Sequence, residues 1–235
     1  MDHNGLKIEA AYLKQPKMLA FVLMLYVTFS IASIVLALKV VHIDFLLLTA
    51  AAFFLPFRYL LGDIISEIYG YRMAQRAIFS LMACVLLFSV MVGVVSKFPS
   101  PPYWNHQSAY DFVLGESLRV TLCASISMLA GASLNVYILS RWRLLMSGKH
   151  FWLRSIGSST IGELTQYCIG LTLVYWNSLP FEKIVHLIIS DYAVQVGFIL
   201  CLAPLAQVAM LVIRKMEGYQ PDQHKVDFHP FAGTE

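Results

Sequence analysis

Long apolar runs dominate this chain, and its polar positions gather in short clusters between them. A helix that crosses a bilayer needs about 20 mainly apolar residues. Six stretches approach or exceed that length: Met18 to Val40, Ile43 to Leu61, Ala77 to Val95, Leu118 to Leu139, Ile156 to Trp176 and Ile184 to Ile213. The second is short. The sixth holds Asp191 near its start and Pro204 further on, where a kink is expected. The pattern predicts an all-α polytopic membrane protein with six transmembrane helices in a compact bundle. The expected organisation is an N-terminal cytoplasmic segment (1–17), one transmembrane domain (18–213) and a cytoplasmic tail (214–235).

The polar clusters set a direction. Lys7, Lys14 and Lys17 precede the first run, and Arg72 and Arg76 lie between the second and third. Arg141, Arg143, Lys149 and Arg154 lie between the fourth and fifth, and Arg214 and Lys215 follow the sixth. The opposite connections hold only Lys39, Lys97 and Lys183. Basic residues mark the cytoplasmic side, so both termini are expected there. The polar start and the lack of a small-residue cleavage pattern argue against a signal peptide. Tyr103, Trp104, Trp142, Phe151, Trp152, Tyr175 and Trp176 fall where interfacial aromatics belong. The longest connection, Lys97 to Glu116, begins proline-rich and is expected outside, as a plain connector or a cover for an external opening.

Composition narrows the class further. Of 235 residues 58% are apolar and 13% charged, against about 25% charged in soluble domains. The net charge of +3 comes mostly from the short connections and gives no reason to expect nucleic acid. Cys84, Cys123, Cys168 and Cys201 stand singly inside apolar runs, and buried structural thiols are expected rather than a zinc site or disulfide framework.

Against this background the stretch "YLLGDIISEIYGY" (Tyr59 to Tyr71) is unusual. Asp63 and Glu67 are four apart and share a helical face. Acids facing lipid are expensive, so this pair must face the bundle interior, a water-filled cavity or the cytoplasmic boundary. Arg72 and Arg76 are available as partners. A solvated helix end and a site for a polar ligand both fit.

Other polar groups recur inside the runs. In the fourth, Ser127, Gly131 and Asn135 form one stripe, where small residues favour close packing; Asn135 fits either a helix–helix bond or a ligand contact. In the fifth, Ser159, Glu163 and Gln166 line one face. Glu163 is the deepest acid, expected either to bind ligand or to pair with Arg154 or Arg58. In the sixth, Asp191 and Gln195 share a face. His42 and His186 read as interfacial.

No Walker motif, HExxH or GxSxG is present, and the connections are too short for a soluble catalytic domain. The residues leave three classes open. They are a secondary transporter or the substrate-binding part of a multi-subunit importer, an intramembrane enzyme, and a structural adaptor.

"GDIISEIYGYRMAQRAIF" (Gly62 to Phe79) resembles the signature of the queuosine precursor transporters, an integral-membrane family whose members often read T-D-[IL]-x-x-E-x-[YF]-G before a basic segment. "LRVTLCASISMLAGASLNVY", "WLRSIGSST" and "DYAVQVGFILCLAPL" follow in the family's order, and the resemblance covers about Phe54 to Leu211. It implies six helices, cytoplasmic ends and import of 7-deazaguanine precursors of queuosine such as preQ0 and preQ1. Matched by motif, the family's acids fall on Asp63 and Glu67, its late polar residue on Asn135, and its serine–threonine pair on Ser159 and Thr160. Gly62 stands where threonine is usual, Asn135 and Tyr167 where aspartate is common, and Gln195 where lysine is frequent.

A guanine-like base offers an N–H and an amine side by side to a carboxylate, and a carbonyl to an amide or hydroxyl donor. The residues expected to bind substrate are Asp63, Glu67, Asn135, Ser159, Thr160, Glu163, Gln166, Asp191 and Gln195. Asp63, Glu67 and Glu163 are expected to line one cavity with Asn135 and Gln166. Glu163 would accept the paired N–H groups, while Asp63 and Glu67 shape the cytoplasmic end and meet Arg72 or Arg76 during gating. No catalytic residue, metal or cofactor is expected. The expected partners are a small heterocycle and lipid, with a homodimer or a separate energising module left open. The expected location is the inner (plasma) membrane.

Overall fold

The computed structural model describes residues 16–218 apart from 38, 44–45, 112, 114–116 and 177–178. The segment 1–15 and the tail 219–235, with Lys7 and Lys14, lie outside the described residues, as does the side chain of His42. Seven α-helices occur among the described residues: α1 (Leu19–Ala37), α2 (Leu55–Tyr69), α3 (Tyr71–Val95), the single turn α4 (Gln107–Tyr110), α5 (Ser117–Leu145), α6 (Phe151–Tyr175) and α7 (Phe181–Glu217).

The expectation of six membrane-spanning helices is corrected. Among the described residues four helices are long and apolar enough to cross a bilayer: α1, α3, α5 from Val120, and α7. The run beginning at Ile43 is not one helix. It opens with an antiparallel hairpin, β1 (Val40–Ile43) and β2 (Leu46–Thr49), pairing Val40 with Thr49 and Ile43 with Leu46. A 3₁₀ turn (Ala50–Phe53) follows, and α2 starts just before Pro56. Proline suits a first helical turn, where no N–H is needed, and the valines and isoleucine upstream favour extended backbone. Fifteen residues remain for α2, about 22 Å at 1.5 Å per residue against a hydrocarbon core of about 30 Å. The 25-residue α6 is long enough, but Arg154, Glu163, Gln166 and its serines and threonines make it too polar. Apolar content was legible along the sequence; the division of that content between outer spans and polar inner helices was not.

Helix α2 is the centre of the bundle. Ten of its fifteen residues are buried, whereas α7 buries seven of thirty-seven. Leu61 and Ile65 of α2 join a core with Val22 and Tyr26 of α1, Ile78 and Leu81 of α3 and Ala132 and Val136 of α5. Ile64 and Ile68 turn to a second core with Leu139, Phe151, Ala206 and Met210. Leu87, Met91, Ile126, Leu200, Val208 and Leu211 point outward, as a lipid-facing surface requires. Cys84, Cys168 and Cys201 are also exposed, which corrects the expectation of buried thiols: an apolar run in a membrane has an outside as well as an inside.

The turn between α2 and α3 is Gly70, at φ 89° and ψ 167°, a conformation that side chains rarely adopt. At the same end of the bundle Glu217 gathers three helices. Its carboxylate accepts from the backbone N–H of Lys17 (2.9 Å) and Met18 (2.7 Å) and from the Tyr69 hydroxyl (2.7 Å).

Helices α5 and α6 form an antiparallel pair held at backbone distance. A Cβ on Gly162 would lie 2.7 Å from Asn135 Cβ and 2.7 Å from the Gly131 carbonyl; one on Gly131 would lie 2.5 Å from the Gly162 carbonyl. Gly170 faces Ser127 at 2.9 Å in the same sense. This is close packing by small residues along the Ser127–Gly131–Asn135 stripe. Gly162→Ala should therefore destabilise the protein by about 1–3 kcal/mol, the usual cost of overpacking. Gly197→Ala, where a Cβ meets nothing within 4 Å, should melt like the wild type. Thermal unfolding in detergent compares the two.

Candidate functional site

Tyr59, Asp63 and Glu67 follow one another at helical spacing along α2, and Ser155, Ser159 and Glu163 do so along α6. The close α5–α6 contact brings Asn135 beside the second stripe. Asp63 sits where the three helices meet. Its Oδ1 accepts from Asn135 Nδ2 at 2.7 Å, and its Oδ2 accepts from Ser159 Oγ at 3.0 Å and from Ser155 Oγ. Only 1% of Asp63 is exposed, and three donors compensate the lost water.

Glu67, one turn closer to the Glu217 end, has a different partner from those expected. Arg154 forks onto it, Nη1 to Oε2 and Nη2 to Oε1, both at 3.0 Å. Arg154 is fully buried, with 0% exposure. Its Nε donates to the Lys149 carbonyl (3.0 Å) and its Nη2 also to the Gly148 carbonyl (3.4 Å), fixing the α5–α6 turn. Arg143 donates to the Glu67 carbonyl at 2.8 Å. Two guanidinium groups thus stand at the C-terminal end of α2, where the helix dipole favours cations.

Toward the opposite end lies a second layer. Gln195 Nε2 donates to Glu163 Oε1 at 3.1 Å, and the Tyr167 hydroxyl donates to Gln195 Oε1 at 3.4 Å. Gln166 Oε1 accepts from Arg58 Nη2 and from the Tyr59 hydroxyl, each at 2.7 Å. The Arg58 guanidinium carbon lies 4.4 Å from the Tyr59 ring centroid. Glu163 is not in a direct ion pair among the described residues; Arg154 belongs to Glu67, and Arg58 acts on Glu163 only as a nearby charge.

Several buried polar atoms here have no hydrogen-bond partner among the described residues: Arg58 Nε, Asn135 Oδ1, Glu163 Oε2 and Asp191 Oδ1. Native interiors rarely tolerate such atoms. The space beside Arg58 and Asn135 is small. A cavity of about 10 Å³ lies among α1, α2, α3 and α5, lined by Tyr26, Arg58, Tyr59 and Asn135. Another of about 20 Å³ lies among α2, α6 and α7, lined by Tyr59, Asp63, Ser155 and Ser159. Each has room for about one water.

The structure brings together most residues singled out from sequence, in two layers rather than around one large cavity. Asp63, Asn135 and Ser159 form one cluster. Glu163 and Gln195 form another, with Asp191 one turn from Gln195 on the buried face of α7. Gln166 lies on the Arg58 side. Thr160 is half-buried, and its hydroxyl turns back to the Ile156 carbonyl at 2.7 Å. Sequence reasoning did not single out Ser155 or Tyr59, met Tyr167 only as a departure from the family pattern, and weighed Arg154 and Arg58 only as partners for Glu163. The signal for Ser155 was present, since it precedes Ser159 by one turn.

The chain is thus a multi-pass membrane bundle with partnerless polar atoms in its interior. Residues 49–209 match the family described as "Putative vitamin uptake transporter", and the chain belongs to that family. It is 25% identical over 170 residues to the "Probable queuosine precursor transporter" of Haemophilus influenzae, covering 69% of this chain and 68% of that protein. It is 26% identical over 154 residues to the "Queuosine precursor transporter" of Escherichia coli strain K12, covering 63% and 66%. No solved structure matches the chain.

The buried fork makes a stability prediction. Arg154→Met alone should cost about 3–5 kcal/mol, because it strands the Glu67 charge. Glu67→Met with Arg154→Met should recover most of that loss. Chemical denaturation of the two single variants and the double variant gives the coupling between the residues.

Proposed function

We propose that the protein carries a queuosine precursor, a 7-deazaguanine, across the inner (plasma) membrane. The observation that carries this reading is the set of buried, partnerless atoms in the second layer, above all Glu163 Oε2. A carboxylate oxygen with no donor is costly in a membrane interior, and a ligand bearing adjacent N–H groups supplies the missing donors. Asn135, Gln166, Asp191 and Gln195 complete the ligand shell. Asp63 with Ser159, and Glu67 with Arg154, close the bundle beneath it, and Thr160 supports the α6 backbone there. The names of the two relatives support the substrate, and membership of a transporter family fits transport rather than catalysis.

The same reading orients the chain. Arg143 and Arg154 bind the end of α2, and Arg214 and Lys215 lie one turn from Glu217 at that end. This basic end is the cytoplasmic face, which puts residues 1–17 and 214–235 inside the cell around a membrane domain of 18–213. A reporter fusion after Gly218 should read cytoplasmic. A C-terminus found outside would reverse the orientation.

The transport reading has a direct test. Liposomes containing only this protein should accumulate or exchange a labelled queuosine precursor. A strict need for a separate ATPase would make the chain an importer subunit, and a chemically altered product would make it an enzyme. Glu163→Gln keeps size but replaces one carboxyl oxygen with an NH2 donor. Leaving a buried hydrogen-bonding group unpaired typically costs about 1–3 kcal/mol, so precursor affinity should fall about tenfold. Isothermal titration of the two proteins, with melting curves matched, decides it; equal affinities would remove Glu163 from the site.

A further inference from the structure

Gln166 is a carboxamide whose orientation is not a matter of choice. A guanidinium can only donate hydrogen bonds, so the atom facing Arg58 Nη2 at 2.7 Å must be the amide oxygen. The Tyr59 hydroxyl donates to the same oxygen at 2.7 Å. Two short bonds occupy both lone pairs of that oxygen. Turned round, the amide would set its NH2 against a guanidinium, donor against donor. The Gln166 nitrogen is thereby held away from Arg58 and Tyr59, and it donates to no protein group among the described residues.

Glu163 lies three residues earlier on the same helix, a rise of about 4.5 Å, and shares its inward face. It has the complementary restriction. Gln195 occupies Oε1 at 3.1 Å, and Oε2 is left without a partner. Glu163 is 1% exposed, whereas Gln166 is only half-buried. The α6 face therefore presents a fixed amide donor at Gln166 and, three residues earlier and more deeply buried, a carboxyl oxygen without a partner.

We propose that Gln166 is the specificity-determining donor of the site, and that with Glu163 it reads a lactam edge, a ring C=O beside a ring N–H. The Gln166 NH2 donates to the ligand carbonyl, while Glu163 Oε2 accepts from the neighbouring N–H. Arg58 and Tyr59 are positioning residues: they touch Gln166 and fix which end of its amide the ligand meets. A ring with an amine in place of the carbonyl, and a bare ring nitrogen in place of the N–H, meets donor with donor and acceptor with acceptor. The inference rests on the proposed function, and deepens it from a heterocycle of this class to the edge by which the heterocycle is chosen.

The test uses purified full-length protein in detergent and two probes, 7-deazaguanine and 2,6-diamino-7-deazapurine. Wild type should prefer the first by about a hundredfold or more, since a site built to hydrogen-bond a group strongly rejects analogues that mispair there. Gln166→Met should weaken 7-deazaguanine at least about tenfold while changing the diamino analogue by less than about threefold. Gln166→Glu retains an oxygen for Arg58 and Tyr59, so it preserves their packing, but it replaces the donor with an acceptor. It should narrow the preference by at least about tenfold. Variants that keep the wild-type preference, or that weaken both probes by one factor, overturn the inference. So does a wild type that binds both probes equally. A wild type that binds neither overturns the substrate reading and this inference together, which separates the two failures.

Discussion

A carboxylate removed from water must be given donors, and in this bundle that requirement falls first on Asp63. Its three donors come from α5 and α6, so Asp63 is satisfied only while those helices are in register and close to α2. Closeness in turn needs Gly131 and Gly162, which leave no room for a Cβ. The short α2, the glycine contact and the serine ladder of α6 are thus parts of one solution. Hydrophobic burial does not choose this arrangement, because lipid would cover the same apolar surface equally well.

The two acids that look alike in the sequence are treated differently. Glu67 is neutralised by a bidentate guanidinium and is structurally committed. Glu163 receives a single amide donor and keeps one oxygen bare. A protein that wanted only stability would fill both, since an unsatisfied buried acceptor is destabilising. The contrast separates a structural acid from one held ready for a ligand.

Much of this was legible in the sequence. The membrane class followed from apolar length, and the inward faces of α6 and α7 followed from the spacing of Ser159, Glu163 and Gln166 and of Asp191 and Gln195. The hairpin at Val40–Thr49 was not legible, because strand and helix draw on the same apolar residues when no periodic polar mark is present. In the sequence Arg154 fits a loop charge or a partner for Glu163, and its pairing with Glu67 was not legible. Its position beside a polar turn matched a loop charge, and only the long-range contact with Glu67, 87 residues away, buries it. Spacing reveals neighbours on one helix; it is silent on partners from another.

Glu217 joins the start of α1 to the ends of α2 and α7, the first and last long helices of the bundle. These bonds make a hoop around one rim of a barrel of staves. Motion that opens that rim has two routes. It breaks the hoop, with Glu217 exchanging Tyr69 and two backbone donors for water, or it leaves the hooped staves together and parts the bundle along α3, α5 and α6. The second route crosses the glycine seam only if α5 separates from α6. Keeping that pair intact directs the parting to the boundaries on either side of it, where the two small cavities already lie.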